Sequence, residues 1–204
     1  MRLRLVREPF DNPDYIFELK HDGFRALAYI ENRECRLVSR NLRSLRFESL
    51  RAALGKLPVK NAIIDGEIIC LDGKGVSQFN ALLTTKGRDA AAFYAFDLIW
   101  LNGADLRRKP LMERKARLCE LVRRSRCPRL LYAQHVEGGG KELFKEICRC
   151  DLEGICGETK DGRISRGSSR LVKDQEQNVF AGRGKTRIVD EKEELRARSG
   201  TGRS

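Results

Sequence analysis

Short apolar stretches along the chain alternate with polar ones and predict a set of strands. The strand-like stretches are 15–17, 26–30, 35–39, 62–64, 68–71, 91–101, 130–133 and 151–155. Apolar residues recur at helical spacing at 45–57, 111–122 and 141–148, and a shorter helix is predicted at 79–83. Because strands and helices mix without the regular alternation of a parallel sheet, the pattern favours the α+β class.

One octapeptide, Glu-Leu-Lys-His-Asp-Gly-Phe-Arg at 18–25, carries most of the candidate chemistry. It places Lys20 between two predicted strands, at a strand end followed by the turn-forming pair Asp22-Gly23. A lysine held there can be desolvated and, once deprotonated, act as a covalent nucleophile. The alternative is a surface hairpin with an ordinary lysine, because short motifs also arise by chance.

Composition narrows the class of protein further. The chain has 204 residues and a formal net charge of +12, which predicts one domain, or one with an extension, and favours a polyanionic partner such as nucleic acid. Seven cysteines without paired Cys-x-x-Cys spacing favour reduced thiols over disulfides or a zinc site. No apolar run reaches the length of a membrane span, so we expect a soluble, cytoplasmic protein without a membrane partner.

The pattern Lys-x-Asp-Gly-x-Arg at 20–25 resembles the nucleotidyl-transfer motif of ATP-dependent DNA ligases and mRNA capping enzymes. Four further segments follow in the order that this resemblance requires. They are Ser39-Arg40-Asn41, Asp65-Gly66-Glu67, 93–98 with Phe96, and Glu153-Gly154-Ile155. The resemblance covers 8–155, and within it 17–30 and 94–103 look most like bacterial DNA ligase, specifically a ligase D-like adenylation domain.

The resemblance implies a fold and a reaction. In the ligase and capping-enzyme fold, two antiparallel sheets flanked by helices hold ATP between them in an ATP-grasp-like arrangement. The implied enzyme is a DNA ligase (ATP) with ATP and Mg²⁺ as cofactors. Lys20 would attack the α-phosphorus of ATP, release pyrophosphate and carry AMP as a phosphoamide. The AMP would then pass to the 5′-phosphate of nicked double-stranded DNA, where the 3′-hydroxyl displaces it.

The same resemblance implies roles for individual residues. These are adenine recognition for Glu18, ribose and phosphate contacts for Arg25 and Arg40, adenine stacking for Phe96, and ribose contact or Mg²⁺ positioning for Glu67 and Glu153. The expected setting is DNA repair, recombination and replication, with the protein acting as a monomer. The alternatives are an RNA ligase or guanylyltransferase, and an inactive ligase remnant with residual nucleotide or nucleic-acid binding.

The resemblance weakens after Ile155, where the family continues with Val-Ala-Lys-Arg-Lys and later Trp-Leu-Lys-Ile-Lys-Asn. Here Glu158 occupies the place of the first lysine, and the later segment keeps only Lys173. Residues 156–160, 171–178 and 179–187 can each be encoded by codons that, when read one base later, encode a ligase-like continuation. The same one-base offset applies to all three segments.

These matches suggest a hypothesis about how the chain is organised. An incomplete adenylation domain at 1–155 would be followed by a basic, disordered tail at 156–204, translated out of frame, with no OB-fold domain. A divergent but genuine C-terminus is the alternative.

Overall fold

Eleven strands in the described part of the chain form two sheets. The computed structural model describes residues 3–5, 8–150, 152–164 and 177–181, the first and last of these for the backbone only. The strands are β1 Leu3–Leu5, β2 Tyr15–Lys20, β3 Phe24–Glu31, β4 Glu34–Ser39, β5 Asn61–Ile69, β6 Ala92–Leu101, β7 Ala104–Asp105, β8 Leu130–Tyr132, β9 His135–Glu137, β10 Gly154–Thr159 and β11 Gln177–Ala181. The helices are α1 Glu48–Gly55, α2 Thr85–Ala90, α3 Leu111–Ser125 and α4 Gly140–Arg149, with a 3₁₀ helix at Phe79–Leu83.

The larger sheet has the order β4-β3-β5-β6-β7, all antiparallel, and β8 pairs with β6 in parallel. Every second residue of β3, namely Ala26, Ala28 and Ile30, is buried, as expected for a strand with one face on a core. That face packs against apolar side chains of α1, such as Leu50, and of α3, such as Leu118. This is the main core of the molecule.

The smaller sheet has the order β1-β11-β10-β2-β9. β10 runs antiparallel to β2 along its whole length, from Gly154 opposite Lys20 to Thr159 opposite Tyr15. Among the side chains described for this layer, Phe17 and Ile155 pack with Ile147 of α4 in a small cluster separate from the main core. The strand that ends at Lys20 therefore packs outside the main core.

The turn after Lys20 does not close a hairpin. β2 lies in the smaller sheet and β3 in the larger one, so residues 21–23 carry the chain from one sheet to the other. Gly23 is required there by close packing, since a Cβ at this position would lie 2.2 Å from the carbonyl oxygen of Ile68. The Asp-Gly pair predicted a turn correctly, but a local signal contains no information about which sheet the next strand joins.

The sequence also predicted two strands interrupted at 65–67, whereas the structure has one continuous strand, β5. Its pairing with β6 shifts register between Asp65 and Gly66. A Cβ at Gly66 would lie 2.4 Å from the ring of Phe93, so the glycine admits a neighbouring aromatic side chain. Glu67 therefore projects from the middle of the sheet and not from a turn.

Ordered structure continues past the predicted domain boundary at 155. That boundary falls inside β10, and Gly157, Glu158 and Ile164 are all buried. Backbone groups supply the pairing of β10 with β2, so the strand tolerates residues other than those the resemblance led us to expect. Residues 165–176 and 182–204 of the predicted disordered tail lie outside the described residues.

The longer predicted elements are present with shifted ends, while several short ones are additional. α2 has little apolar periodicity and is instead capped by Thr84, whose Oγ1 accepts a hydrogen bond from the amide of Gly87. β7 and β9 are only two and three residues long. All seven cysteines are free thiols. Among the described residues, no helix combines the length and apolar character that crossing a bilayer requires.

Candidate active site

Lys20 is anchored at the point where the chain leaves the smaller sheet. Its Nζ donates a hydrogen bond to Oε1 of Glu153, and because Lys20 pairs with Gly154 in the β2–β10 register, the two side chains are neighbours. The second oxygen of Glu153, Oε2, is buried and has no hydrogen-bond partner among the described residues. The Lys20 side chain remains 27% exposed. The amine is thus held in place and still accessible.

Arg25 is an oriented cation on the larger sheet. Its Nε and Nη2 donate to the two carboxylate oxygens of Asp65 at 2.8 and 2.9 Å. The guanidinium also lies over the ring of Phe96, 4.0 Å from the centroid. Burial lowers the pKa of Arg25, but the charge and hydrogen bonds of Asp65, together with the charges of Glu67 and Glu158, outweigh burial and the net change is upward. This bidentate geometry fixes the plane of the guanidinium.

Glu67 lies directly opposite Arg25 in the β3–β5 register. Burial raises the pKa of Glu67 to about 7, while Arg25 and Lys20 act in the opposite direction. The charge of Lys20 reaches Glu67 although the two residues are on different sheets. Lys20, Arg25 and Glu67 are therefore close together between the two sheets, and we call this region the cleft.

An apolar patch lies next to these charges. Ile69, Tyr94, Phe96 and Ala133 form a buried cluster separate from the main core. The ring of His21 packs edge-on against Tyr94 with the centroids 4.5 Å apart. Burial lowers the pKa of His21, and the neighbouring Lys20 lowers it further. The patch offers flat apolar surface beside charged groups, which suits a nucleobase joined to phosphates.

Glu18 is bonded to a lysine that the sequence did not identify as a site residue. Glu18 precedes Lys20 by two positions on β2 and therefore lies on the same face. Its Oε1 accepts a hydrogen bond from Nζ of Lys115 on α3, and both side chains are almost fully buried. The signal was present, since Lys115 lies among Leu111, Leu118 and Leu121 on the apolar face of that helix.

A second buried ion pair begins at the preceding residue of α3. The guanidinium of Arg114 donates to both carboxylate oxygens of Asp97, at 2.8 and 2.9 Å, and to the carbonyl of Gly162 at 2.6 Å. Arg114 and Asp97 are 1% and 0% exposed. This pair joins α3 to β6 and to the segment after β10.

Glu158 is buried on the face of the smaller sheet that carries the nucleophile candidate. It pairs with Ile16 in the β2–β10 register. Ile16, Glu18 and Lys20 are every second residue of β2, so their side chains and that of Glu158 lie on the same face. The negative charge of Glu158 is close enough to favour the charged form of Arg25. The cleft therefore contains a carboxylate at the position where the family resemblance implies a lysine.

The remaining predicted residues are less closely integrated. Arg40 is exposed in the turn after β4, and no hydrogen bond or ion pair among the described residues connects it to Lys20 or Arg25. No group of three or more His, Cys, Asp or Glu side chains in the described residues is arranged to hold a metal ion. Glu67 and Glu153 both lie near Lys20, each as a separate carboxylate.

Two mainly antiparallel sheets with outer helices, and a lysine in the cleft between them, define the class of ligase-type nucleotidyl-transfer folds. The chain belongs to the ATP-dependent DNA ligase domain family, whose profile matches residues 4–174. The predicted family and the predicted α+β fold are thereby confirmed.

Individual relatives agree with this assignment. The chain is 33% identical over 159 residues to the multifunctional non-homologous end joining protein LigD of Pseudomonas aeruginosa, covering 76% of this chain and 19% of that protein. It is 28% identical to the SPbeta prophage-derived DNA ligase-like protein LigB of Bacillus subtilis, covering 76% of this chain and 58% of that one. The chain thus spans only about a fifth of LigD.

Solved structures show the same fold. The ligase domain of M. tuberculosis LigD superposes with a TM-score of 0.70 at 25% identity, covering 87% of this chain and 58% of that one. A mycobacterial DNA ligase D complexed with ATP and MES gives a TM-score of 0.69 at 24% identity, covering 88% and 60%.

Proposed function

We propose that this chain is the adenylation domain of an ATP-dependent DNA ligase and that Lys20 forms a covalent lysyl-AMP intermediate. The observation that carries the proposal is the position of Lys20. It lies at the crossing between the two sheets, bonded to Glu153, with Arg25 and Glu67 across the cleft. A tethered amine beside an oriented guanidinium suits attack on a phosphoryl group.

The proposed step balances as a nucleophilic substitution. The ammonium of Lys20, whose side chain is 27% exposed, first releases a proton to water, and Glu153 keeps the amine in place through its hydrogen bond. The free amine then attacks the α-phosphorus of ATP; an N–P bond forms, the bond to the bridging oxygen breaks and pyrophosphate leaves. Arg25, held flat by Asp65, supplies positive charge where it offsets the charge on the phosphoryl oxygens.

The apolar patch around Phe96 is proposed to receive adenine. The Arg25 guanidinium lies over one face of the Phe96 ring. The proposed base contact of Phe96 and the proposed phosphate contact of Arg25 are therefore next to each other. Glu18, held by Lys115, is the proposed acceptor for the adenine amino group. Arg40, exposed after β4, is proposed to contact phosphate only when ATP or DNA is bound.

Mg²⁺ is the proposed metal, with Glu67 and Glu153 as its protein ligands. The Oε2 atom of Glu153, which is buried and has no hydrogen-bond partner in the part of the chain that the structure describes, fits a hard cation, because such cations prefer oxygen ligands. Two separate carboxylates also fit Mg²⁺ in particular, since this ion is typically held by one or two carboxylates, phosphate oxygens and water. When bound, Mg²⁺ neutralises phosphate charge.

Nicked double-stranded DNA is the proposed acceptor of AMP, at its 5′-phosphate. The net charge of +12 supports a nucleic-acid partner. We propose that the chain acts as a monomer in the cytoplasm, in DNA repair, recombination and replication.

A decisive test is incubation of the purified chain with Mg²⁺ and ATP labelled at the α-phosphate. Label that survives denaturation, and is absent from Lys20→Ala, is expected. AMP transfer to a nicked duplex is then followed on the DNA strand, with GTP and nicked RNA in parallel. Labelling by GTP in preference to ATP would replace the proposal with a guanylyltransferase.

A second candidate is a ligase-derived domain that binds nucleotide without transferring it. Glu158 favours it, because a buried carboxylate on the nucleophile's face opposes a polyphosphate. In that case ATP binds in equilibrium dialysis but leaves no covalent label.

We further propose that the codons after Ile155 carry a single-base frame change. Reading the gene tests this directly. A ligase continuation one base out of frame after the Ile155 codon supports it, and an offset frame without one contradicts it.

A further inference from the structure

Lys115 is a buried lysine whose bonds span the two sheets. Its side chain is 1% exposed. Besides the carboxylate of Glu18, Nζ donates to the carbonyl oxygens of Ala133 at 3.1 Å and Phe96 at 3.4 Å. The ammonium also lies 4.7 Å from the centroid of the Tyr132 ring.

Burying an ammonium is costly unless it is paired and hydrogen-bonded. Here its partners come from different layers: Glu18 lies on β2 of the smaller sheet, whereas Phe96 lies on β6 of the larger sheet and Ala133 bonds back to β6 through Ala95. If β2 moved relative to β6, the charge of Lys115 or of Glu18 would lose its compensation. The arrangement therefore resists relative movement of the two sheets.

The ion pair between Lys115 and Glu18 lies close to Lys20 along β2. Glu18 and Lys20 are two residues apart on the same face, so a constraint on Glu18 also constrains the strand that presents Lys20. On the opposite sheet, the carbonyl of Phe96 belongs to the residue whose ring carries Arg25. Lys115 thus connects β2, which carries Lys20, to Phe96, the residue that the proposed nucleotide would contact.

We infer that Lys115 is a positioning residue for nucleotidyl transfer: by bonding Glu18 and the carbonyls of Phe96 and Ala133 together, it fixes the Lys20 strand against the nucleotide-binding face. This inference rests on the proposed function of Lys20. Attack on phosphorus needs near-attack geometry, and a displacement of about 1 Å lowers rates about a hundredfold. Loss of the Lys115 hydrogen bonds is therefore expected to lower the transfer rate more than it lowers ATP affinity.

Arg114 provides a matched control. It is the neighbouring residue of the same helix, equally buried, and also paired with a carboxylate. Its partners do not include β2, however, so its loss weakens α3 docking without freeing the Lys20 strand.

The test compares single-turnover self-labelling by ATP in wild type, Lys115→Met, Lys115→Arg and Arg114→Met, normalised to the folded fraction. For Lys115→Met we expect the rate constant at saturating ATP to fall at least tenfold, with the half-saturating ATP concentration changed less than about threefold. Lys115→Arg keeps the charge and several N–H donors in a larger group, and it is expected to recover part of the rate. Arg114→Met is expected to lose stability and keep its rate constant. If Lys115→Met does not fold, Lys115→Gln takes its place, because the shorter amide cannot bridge Glu18 and the carbonyls of Phe96 and Ala133 together.

A wild-type rate constant in folded Lys115→Met would overturn the inference, as would an equal loss in Arg114→Met. If the wild type forms no label, the proposed function of Lys20 fails separately. Amide hydrogen exchange then decides the inference alone. Lys115→Met is expected to increase exchange in Tyr15–Lys20 and leave Asn61–Ile69 unchanged, and equal exchange in both strands would contradict it.

Discussion

The two sheets differ in how they are stabilised, although both contribute to the same cleft. The larger sheet rests on an extensive apolar core shared with α1 and α3. Among the side chains that the structure describes, the buried cluster of the smaller sheet, which presents Lys20, consists of Phe17, Ile147 and Ile155 with partly buried neighbours. Ion pairs add to the stabilisation of that cluster, for example Lys20 with Glu153 and Lys115 with Glu18. In the proposed mechanism, the face that receives the nucleotide is therefore held by packing, while Lys20 is positioned through a few specific hydrogen bonds and ion pairs.

Two fully buried phenylalanines test this difference most strongly. Phe17 belongs to the smaller sheet and Phe93 to the larger one, and each ring packs against a glycine, Gly140 and Gly66 respectively. Replacing either by alanine is expected to cost about 3–5 kcal/mol of unfolding free energy. Urea denaturation measures the total for each variant.

The distribution of that loss should differ between the two phenylalanine variants. Phe17→Ala is expected to raise amide exchange in β2 and β10 before global unfolding, whereas Phe93→Ala lowers protection throughout the larger sheet. Identical exchange patterns in the two variants would show that the sheets form one cooperative unit.

Glu67 gives a pH-dependent test on the larger sheet. The pKa of Glu67 is about 7 in the folded state and 4.5 in the unfolded chain. Between pH 4.5 and about 7, the folded state therefore keeps a proton on Glu67 that the unfolded state has lost. Stability from this group is fully present below about pH 4.5, declines as the pH rises and levels off above about pH 7. The decline is expected to reach at most roughly 3 kcal/mol, and less where water reaches the half-buried carboxyl.

Glu67→Gln should remove this decline. Unfolding free energies of the wild type and the variant, measured from pH 4.5 to 8 without nucleotide or metal, are therefore expected to diverge up to about pH 7 and to keep a constant difference above it. Parallel curves would mean that Glu67 titrates near its ordinary pKa.

Asp65 tests whether Arg25 needs its orientation. Asp65→Asn replaces a charged bidentate partner, and we expect a loss of about 2 kcal/mol of stability and a fall in the self-labelling rate. Glu120→Gln is the matched control, since the Glu120–Arg123 pair is also bidentate but exposed, and about 0.5 kcal/mol or less is expected. A rate unchanged in Asp65→Asn would remove Arg25 orientation from the mechanism.

Glu158 provides the smallest expected effect and concerns the smaller sheet. Glu158→Gln removes a buried negative charge from the face of Lys20, so ATP is expected to bind a few-fold more tightly, about 1 kcal/mol. Glu137→Gln serves as control, because that carboxylate lies at the exposed end of β9 and pairs with Lys160. Equal ATP affinity in wild type and Glu158→Gln would show that the Glu158 charge does not reach the nucleotide.

Sequence reasoning located residues whose chemistry is carried by contiguous motifs. Lys20, Arg25, Glu67 and Phe96 all lie in short segments that could be recognised along the chain, and the structure brings them to one cleft. Asp65 was within a recognised segment, but its role depends on reaching Arg25 across the β3–β5 pairing. Such partners depend on strand register, which the sequence pattern did not specify.

The remaining omissions have a different cause. Lys115 is 97 positions from Glu18, and the apolar positions around it on α3 predicted a helix face without indicating which sheet that face meets. Likewise, the Asp22-Gly23 turn predicted a change of direction but not a change of sheet. Long-range placement had to come from the fold.

The most direct test of the account is to map the covalent adduct by mass spectrometry after incubation with Mg²⁺ and ATP, using Lys145→Ala as an exposed-lysine control. The account predicts AMP on the peptide that contains Lys20, in the wild type and the control alike. AMP on any other lysine, with Lys20 unmodified, would contradict it.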